Sequence, residues 1–452
     1  VGDDGSRCRV DESDTGVVTG AVDAENQPHG LDATTRRCAA LGRSVSCCVT
    51  RKVPSPPRSS AVTPFERSHV AGVAFSWRTG VRGHPGPPTA WRLLVERAAG
   101  SEGRVLDASG LAGVPGRAAA AATTVERVEV FEPSTAALAA LCHDLAGEDA
   151  DLAERIEADA RLPWDAEVDA YDVVLLAPPA ERGSARVRAE LQAAAAACAP
   201  SGSVWVLLDR DRGAKRYLRE ASAWFGAVEV HARDGSLRLV HLCAPKDVGE
   251  FDPWSSVGNP APLPAMEAHV LPGVWSADAV DPGTQLLLEV LRTEASVAQG
   301  DTVVDLGCGW GPLAIDASLR GGTVVALDDD LAAVRSCRRT LAAATVLHAD
   351  VLHARPSAQI LAGGADQVWV NPPFHVGTGV RVNVGERFVE VALEAVRPGG
   401  EVWIVANAAL PYERVGLTKG AEVTQVAVAR GFKVLRFRSS SHEPRRPFRS
   451  SR

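Results

Sequence analysis

The sequence predicts an α/β protein built from two tandem, doubly wound, mostly parallel sheets, of which the first is degenerate. Three observations carry this. Short β-branched runs alternate with alanine-rich amphipathic stretches over residues 61–245, and the same grammar starts again over 266–438. The two passages hold a nearly constant offset: Asp107 to Asp305 is 198 residues, Glu132 to Asp328 is 196, and Ala177 to Asn371 is 194. Between them residues 246–265 hold Pro253, Pro260, Pro262 and Pro264 with Gly249 and Gly258, a composition that reads as a linker.

Taken in order, residues 1–60 mix Gly, Ser, Pro, Arg and Asp without a sustained period, and are expected to be a disordered or weakly ordered leader. The single methionine, Met266, leaves open a biological start downstream of Val1. In the first passage the expected strands are 103–107, 128–132, 172–176 and 203–208, with helices at 134–145 and 185–198. In the second they are 301–305, 323–328, 366–370 and 401–405, with a helix announced by Asp281-Pro282-Gly283-Thr284. Residues 439–452 form a basic tail.

Composition narrows the classes. A formal net charge of -8 and a pI near 5.8 exclude a chain that coats nucleic acid generally, so RNA contact would need a local basic patch. Lys433, Arg436, Arg438, Arg445, Arg446, Arg449 and Arg452, with Phe437 and Phe448 among them, form the candidate patch. The nine cysteines form no Cys-x-x-Cys pair, which reads as reduced thiols rather than a disulfide framework or a metal site. No apolar run is long enough to span a membrane, and a cytoplasmic location is expected.

The residues that carry chemistry lie in the second passage. Asn371-Pro372-Pro373-Phe374-His375 directly follows an apolar strand. Its prolines fix φ and remove two donors, leaving the Asn371 and Pro372 carbonyls as rigid acceptors. The Asn371 amide oxygen and the Pro372 carbonyl suit both protons of a planar amino group, and Phe374 offers a face for a base. Asp305-Leu306-Gly307-Cys308-Gly309 opens a strand end into a helix through glycines that let backbone approach a ligand. Asp328 closes the next strand, where an acid accepts from two ribose hydroxyls. Pro312 stands where the dinucleotide fingerprint wants a third glycine, so a nicotinamide cofactor is disfavoured. The first passage has Ser109 opposite Gly307, Leu111 opposite Gly309, Ala177 opposite Asn371, Ala180 opposite Phe374 and Glu181 opposite His375. Its site is expected to be lost.

These motifs, with Val405-Ala406-Asn407-Ala408-Ala409-Leu410-Pro411-Tyr412 and the lead-in Val274-Trp275-Ser276 to Thr284, resemble the class I methyltransferases that use S-adenosylmethionine. Within that class the chain is similar to the ribosomal RNA small-subunit methyltransferase C group, which modifies the guanine 2-amino group. The resemblance covers about residues 61–438 and departs at Trp275, where phenylalanine is commoner, and in the leader and tail. It implies two Rossmann-like domains, the second binding S-adenosylmethionine. Asp305, Gly307, Gly309 and Asn371 are implied at the cofactor, with Asp328 on its ribose and Asp350 on its adenine amino group. Asn371, Pro372 and Phe374 are implied in catalysis, and Phe374 and His375 in substrate binding. The implied partner is ribosomal RNA or the small subunit, the cofactor calls for no metal, and a monomer is expected. Methyl transfer to an adenine 6-amino group or a protein glutamine amide, and a non-enzymatic RNA-binding or assembly role, are the alternatives.

Overall fold

Both halves repeat one strand order, and the repetition follows from where the apolar runs lie. The computed structural model describes residues 65–84, 88–258, 260–264, 266–353, 364–373, 375–376, 379–380 and 382–439. The expected leader and the tail beyond Ser439 lie outside these. The first sheet comprises β1 (Gly103–Asp107), β2 (Val125–Phe131), β3 (Ile156–Asp159), β4 (Tyr171–Leu176), β5 (Cys198–Asp209), β6 (Phe225–Asp234) and β7 (Leu237–Pro245). The second comprises β8 (Thr302–Leu306), β9 (Thr323–Asp328), β10 (Thr345–His348), β11 (Ala365–Val370), β12 (Val396–Asn407), β13 (Glu422–Ala429) and β14 (Phe432–Arg438). In space the first runs β3-β2-β1-β4-β5-β7-β6, and the second β10-β9-β8-β11-β12-β14-β13. Five strands of each are parallel and the last two form an antiparallel hairpin. The winding direction reverses between β1 and β4, and between β8 and β11, and ligands bind at the carboxyl edge of such a reversal.

Every strand expected from the sequence is present, two of them, Gly103–Asp107 and Thr323–Asp328, to the residue. The expectation missed β3 and β10, whose four residues are too few to display a period. It also missed the two terminal hairpins and the small hairpin Glu66–Val70 with Val73–Trp77. The stretch expected as a linker is in part built into the second half. Ser255–Gly258 pairs with Glu267–Val270, and Val257 and Leu263 are buried among second-half residues. The prolines bracket that strand instead of interrupting it.

Each sheet is covered on both faces, so each half has two apolar clusters. On one face of the second sheet Val304, Leu306, Val368, Val370 and Ile404 pack against Phe388, Val389 and Ala392 of helix Val382–Ala395. Trp369 and Trp403 point to the other face, in the cluster that also takes in Leu162 from the first half. The halves therefore share apolar core.

One contact shapes the rim above β11 and β12. Tyr412 is fully buried, and a Cβ on Gly385 would stand 1.7 Å from its hydroxyl. Gly385→Ala is expected to lower the urea midpoint, by overpacking worth about 1–3 kcal/mol. Unchanged unfolding would show that Tyr412 repacks at no cost.

Candidate functional site

The carboxyl edge of the second sheet gathers the predicted residues by register alone. Leu306 at the end of β8 lies level with Leu327 of β9 on one side and Val370 of β11 on the other. Asp328 and Asn371, one residue further on, therefore flank the loop that starts at Gly307. Two strand spacings separate them, roughly 10 Å.

That loop is held open by backbone geometry. Gly307, Gly309 and Gly311 have φ of 80°, 56° and 95°, a region that side chains rarely adopt. The Gly307 and Cys308 amides donate to the Leu327 carbonyl at 2.8 and 2.9 Å, tying the loop to β9. A Cβ on Gly307 would meet the Phe388 ring at 3.0 Å, and one on Gly311 the Cys337 sulfur at 2.8 Å. A Cβ on Gly309 would meet nothing within 4 Å, so the space beyond this residue is free.

Asp328 faces that space half-buried. Its Oδ2 accepts the Gly309 amide at 2.9 Å and its Oδ1 the Asp330 amide at 3.0 Å. Each oxygen keeps a lone pair, as two ribose hydroxyls require. Burial pushes this carboxyl up to about 6 against those two amides.

Asp305 is buried. Only 1% of its surface is exposed, and its Oδ2 accepts the Ala314 amide at 3.0 Å beneath the loop. In the first half Asp107 does the same for Gly116, at 2.7 Å, beside a loop with Ser109 and Leu111 in place of the first two glycines. The acid ties strand to helix in both copies, and burial pushes Asp305 up to about 7.

Asn371 is oriented from behind. Its Nδ2 donates to Thr284 Oγ1 at 2.8 Å and lies 3.3 and 3.2 Å from the two oxygens of Asp281. A carboxylate only accepts, so the amide nitrogen must face Asp281 and the oxygen must face away. That oxygen, Asn371 Oδ1, is buried with no hydrogen-bond partner among the described residues. Asp281 itself caps helix Pro282–Glu294 through the Gly283 and Thr284 amides. The lead-in is fixed beside the glycine loop, because the Trp310 indole donates to the Ser276 carbonyl at 3.1 Å.

Asp350 follows β10 at the same edge, buried, with Oδ1 accepting the Leu352 and His353 amides. Burial would raise its pKa, but the His353 ring and the Arg78 guanidinium outweigh that and hold it below the usual range. Phe374 lies outside the described residues. His375 is described by its backbone, which pairs with Val380.

The candidate RNA patch is corrected in part. Lys433 is buried against Glu413 at 2.6 Å, Phe437 is fully buried, and Arg438 pairs with Glu401 at 2.8 Å. The arginines from Arg445 onward lie outside the described residues.

The first half shows how a site of this kind is closed. Leu111 is buried in the core opposite Gly309, and Glu132 takes the Ala112 amide at 3.0 Å with 2% of its surface exposed. Burial pushes Glu132 up to about 8. Arg82 donates to the Ala177 carbonyl and approaches those of Ser109 and Pro178 at 3.3 and 3.4 Å. Ala177 and Pro178 stand opposite Asn371 and Pro372, so a guanidinium holds the backbone carbonyls of the first half at the positions that match that pair. Nothing in motif or periodicity marked Arg82. Its signal exists only in three dimensions.

Comparison with known proteins agrees with this fold. The family model described as methyltransferase small domain matches twice, over residues 73–241 and 265–436. A solved structure of the T. thermophilus 16S rRNA N2 G1207 methyltransferase (RsmC), in complex with AdoMet and guanosine, is 33% identical with a TM-score of 0.73. The match covers 84% of this chain and 99% of that one. The ribosomal RNA small subunit methyltransferase C of Chromohalobacter salexigens is 37% identical over 173 residues, 37% of this chain and 50% of that protein. Its namesake in Actinobacillus succinogenes is 38% identical over 165 residues, 35% of this chain and 46% of that protein. The chain thus spans about half the length of these curated relatives.

The Asp328 geometry sets a pH dependence. Hydroxyl donors need the ionised carboxylate, so affinity for a ribose-bearing ligand should be flat well above pH 6. It should weaken as pH falls through about 6, by up to about tenfold per unit. Calorimetric titration across pH 5–8 checks this, and Asp328→Asn should flatten the profile at the weaker level.

Proposed function

The chain belongs to the methyltransferase small domain family, and we propose that it transfers a methyl group from S-adenosylmethionine to the 2-amino group of a guanine in ribosomal RNA. The observation that carries this reading is the buried, unpartnered Asn371 Oδ1, locked outward by Asp281 and Thr284. A buried acceptor with no partner costs free energy in the free protein, which a planar amino group at that position would recover.

The residues fit S-adenosylmethionine: free space beyond Gly309, two lone pairs on Asp328 and an acid at Asp350. When bound, the cofactor supplies an electrophilic methyl group on a sulfonium. In this reading Gly307 and Gly309 admit its methionine part, Asp328 holds its ribose and Asp350 its adenine amino group. The target base, taken out of its stack, stacks on Phe374. Asn371 Oδ1 and the Pro372 carbonyl accept its two amino protons, which turns the nitrogen lone pair toward the methyl group.

Positive charge develops on that nitrogen as the bond forms, and the same two acceptors stabilise it. Positioning supplies the rest of the rate, because the methyl group is already activated. The proton then leaves a cationic nitrogen and needs no strong base. The first half is read as a non-catalytic partner, its acceptors being occupied by Arg82.

Methyl transfer with tritiated cofactor onto separated ribosomal subunits, naked RNA, DNA and protein tests the proposal. Label should appear in ribosomal RNA as 2-methylguanine, and label in adenine or glutamine instead would overturn the acceptor. Asn371→Ala should lower turnover at saturating cofactor by about 10²–10³-fold, as for loss of one oriented group at a charge-developing centre. Calorimetry of the full chain should give one S-adenosylmethionine bound per chain. A stoichiometry of two would mean that the first half kept its site.

A further inference from the structure

The cofactor edge of the second half is held by groups from the first. Asp329, next to the ribose-binding acid, accepts from the Ser134 hydroxyl at 2.7 Å, the Thr135 hydroxyl at 2.5 Å and the Ala136 amide at 2.8 Å. Asp330 is ion-paired with Arg182. Asp350 is ion-paired with Arg78 at 2.7 Å, with 7% and 10% of the two side chains exposed. Three acids at one edge are thus met from the half that has no site of its own.

The last pair differs from the others because its acid is the one read as facing adenine. Asp350 Oδ1 is filled by the Leu352 and His353 amides at 3.0 and 3.1 Å. Oδ2 accepts from Arg78 Nη2. The His353 ring nitrogen lies 3.2 and 3.1 Å from the two oxygens, so Oδ2 is shared between the guanidinium and that ring. Arg78 is itself restrained, its guanidinium lying 4.3 Å from the Phe65 ring centroid. Without it, the Asp350 side chain would share a buried edge with Asp329 and lose its compensating charge.

We propose that Arg78, a residue of the degenerate half, is a positioning residue for the adenine end of the cofactor site. It fixes Asp350 Oδ2 as the acceptor of the adenine 6-amino group, and so sets cofactor affinity and base selectivity from outside the catalytic half. This rests on the cofactor reading above.

The test uses the full chain and two stable ligands, S-adenosylhomocysteine and S-inosylhomocysteine, in which a 6-oxo group replaces the amino group. Wild type should prefer the adenine ligand. Arg78→Met should weaken S-adenosylhomocysteine about tenfold, a usual size for coupling between distinct sites, while barely changing S-inosylhomocysteine, so that the preference shrinks. Arg78→Lys should recover part of it, and in an Asp350→Asn background Arg78→Met should add no further loss. An unchanged preference overturns the inference, whether both affinities stay put or fall in parallel as a merely structural role would make them. Should Arg78→Met not fold, Arg78→Lys carries the test, and a wild-type preference in that variant is the overturning result. A wild type that binds neither ligand removes the cofactor reading, and this inference with it.

Discussion

The site depends on one arrangement of charge: carboxylates gathered at the carboxyl edge of a parallel sheet, each held by a donor that leaves part of it free. Asp281 anchors an amide, Asp328 anchors a loop, and Asp350 is anchored by an arginine from another domain. Acids this close repel and are costly to bury. The fold offsets that cost locally, with backbone amides from tight turns and with hydroxyl and guanidinium donors. The glycine loop, the capped helix and the domain seam can all be seen as ways to deliver those donors.

The two halves separate scaffold from site within a single chain. Asp107 and Asp305 make the same strand-to-helix bond, so that bond belongs to the architecture. Glu132 and Asp328 occupy matching strand ends, but one is sealed and the other open, and the neighbouring residues decide which. Leu111 fills what Gly309 leaves free. Because both copies fold to the same strand order, the differences at these positions are not needed for folding.

Much of this was legible in the sequence. Strands buried on both faces announce themselves as continuous β-branched runs, which is why β1, β4, β8, β9 and β11 were found. The hairpin strands β6 and β13 carry many exposed and half-exposed residues, and their weaker alternation was overlooked. At the site, Asn371, Asp328 and the glycines stand out in the sequence because each sits at a strand end with a residue type that geometry demands. An acid at the position of Asp305 looks the same in a sequence whether it faces a ligand or a helix. Lys433 and Phe437 were misjudged for a similar reason: a basic, aromatic run says nothing of which residues alternate inward on a strand. Arg78 and Arg82 could not be found, because their partners are 272 and 95 residues away.

Arg82 bears on what satisfies the carbonyls at the edge of the first sheet. A pocket that loses its ligand still has carbonyls aimed inward, and dry carbonyls favour whatever donor can reach them. In the first half that donor is the Arg82 guanidinium, and it is part of the chain. A ligand would have to displace a side chain of the same chain to reach those carbonyls, so the contact that satisfies them also keeps the edge of the first half shut.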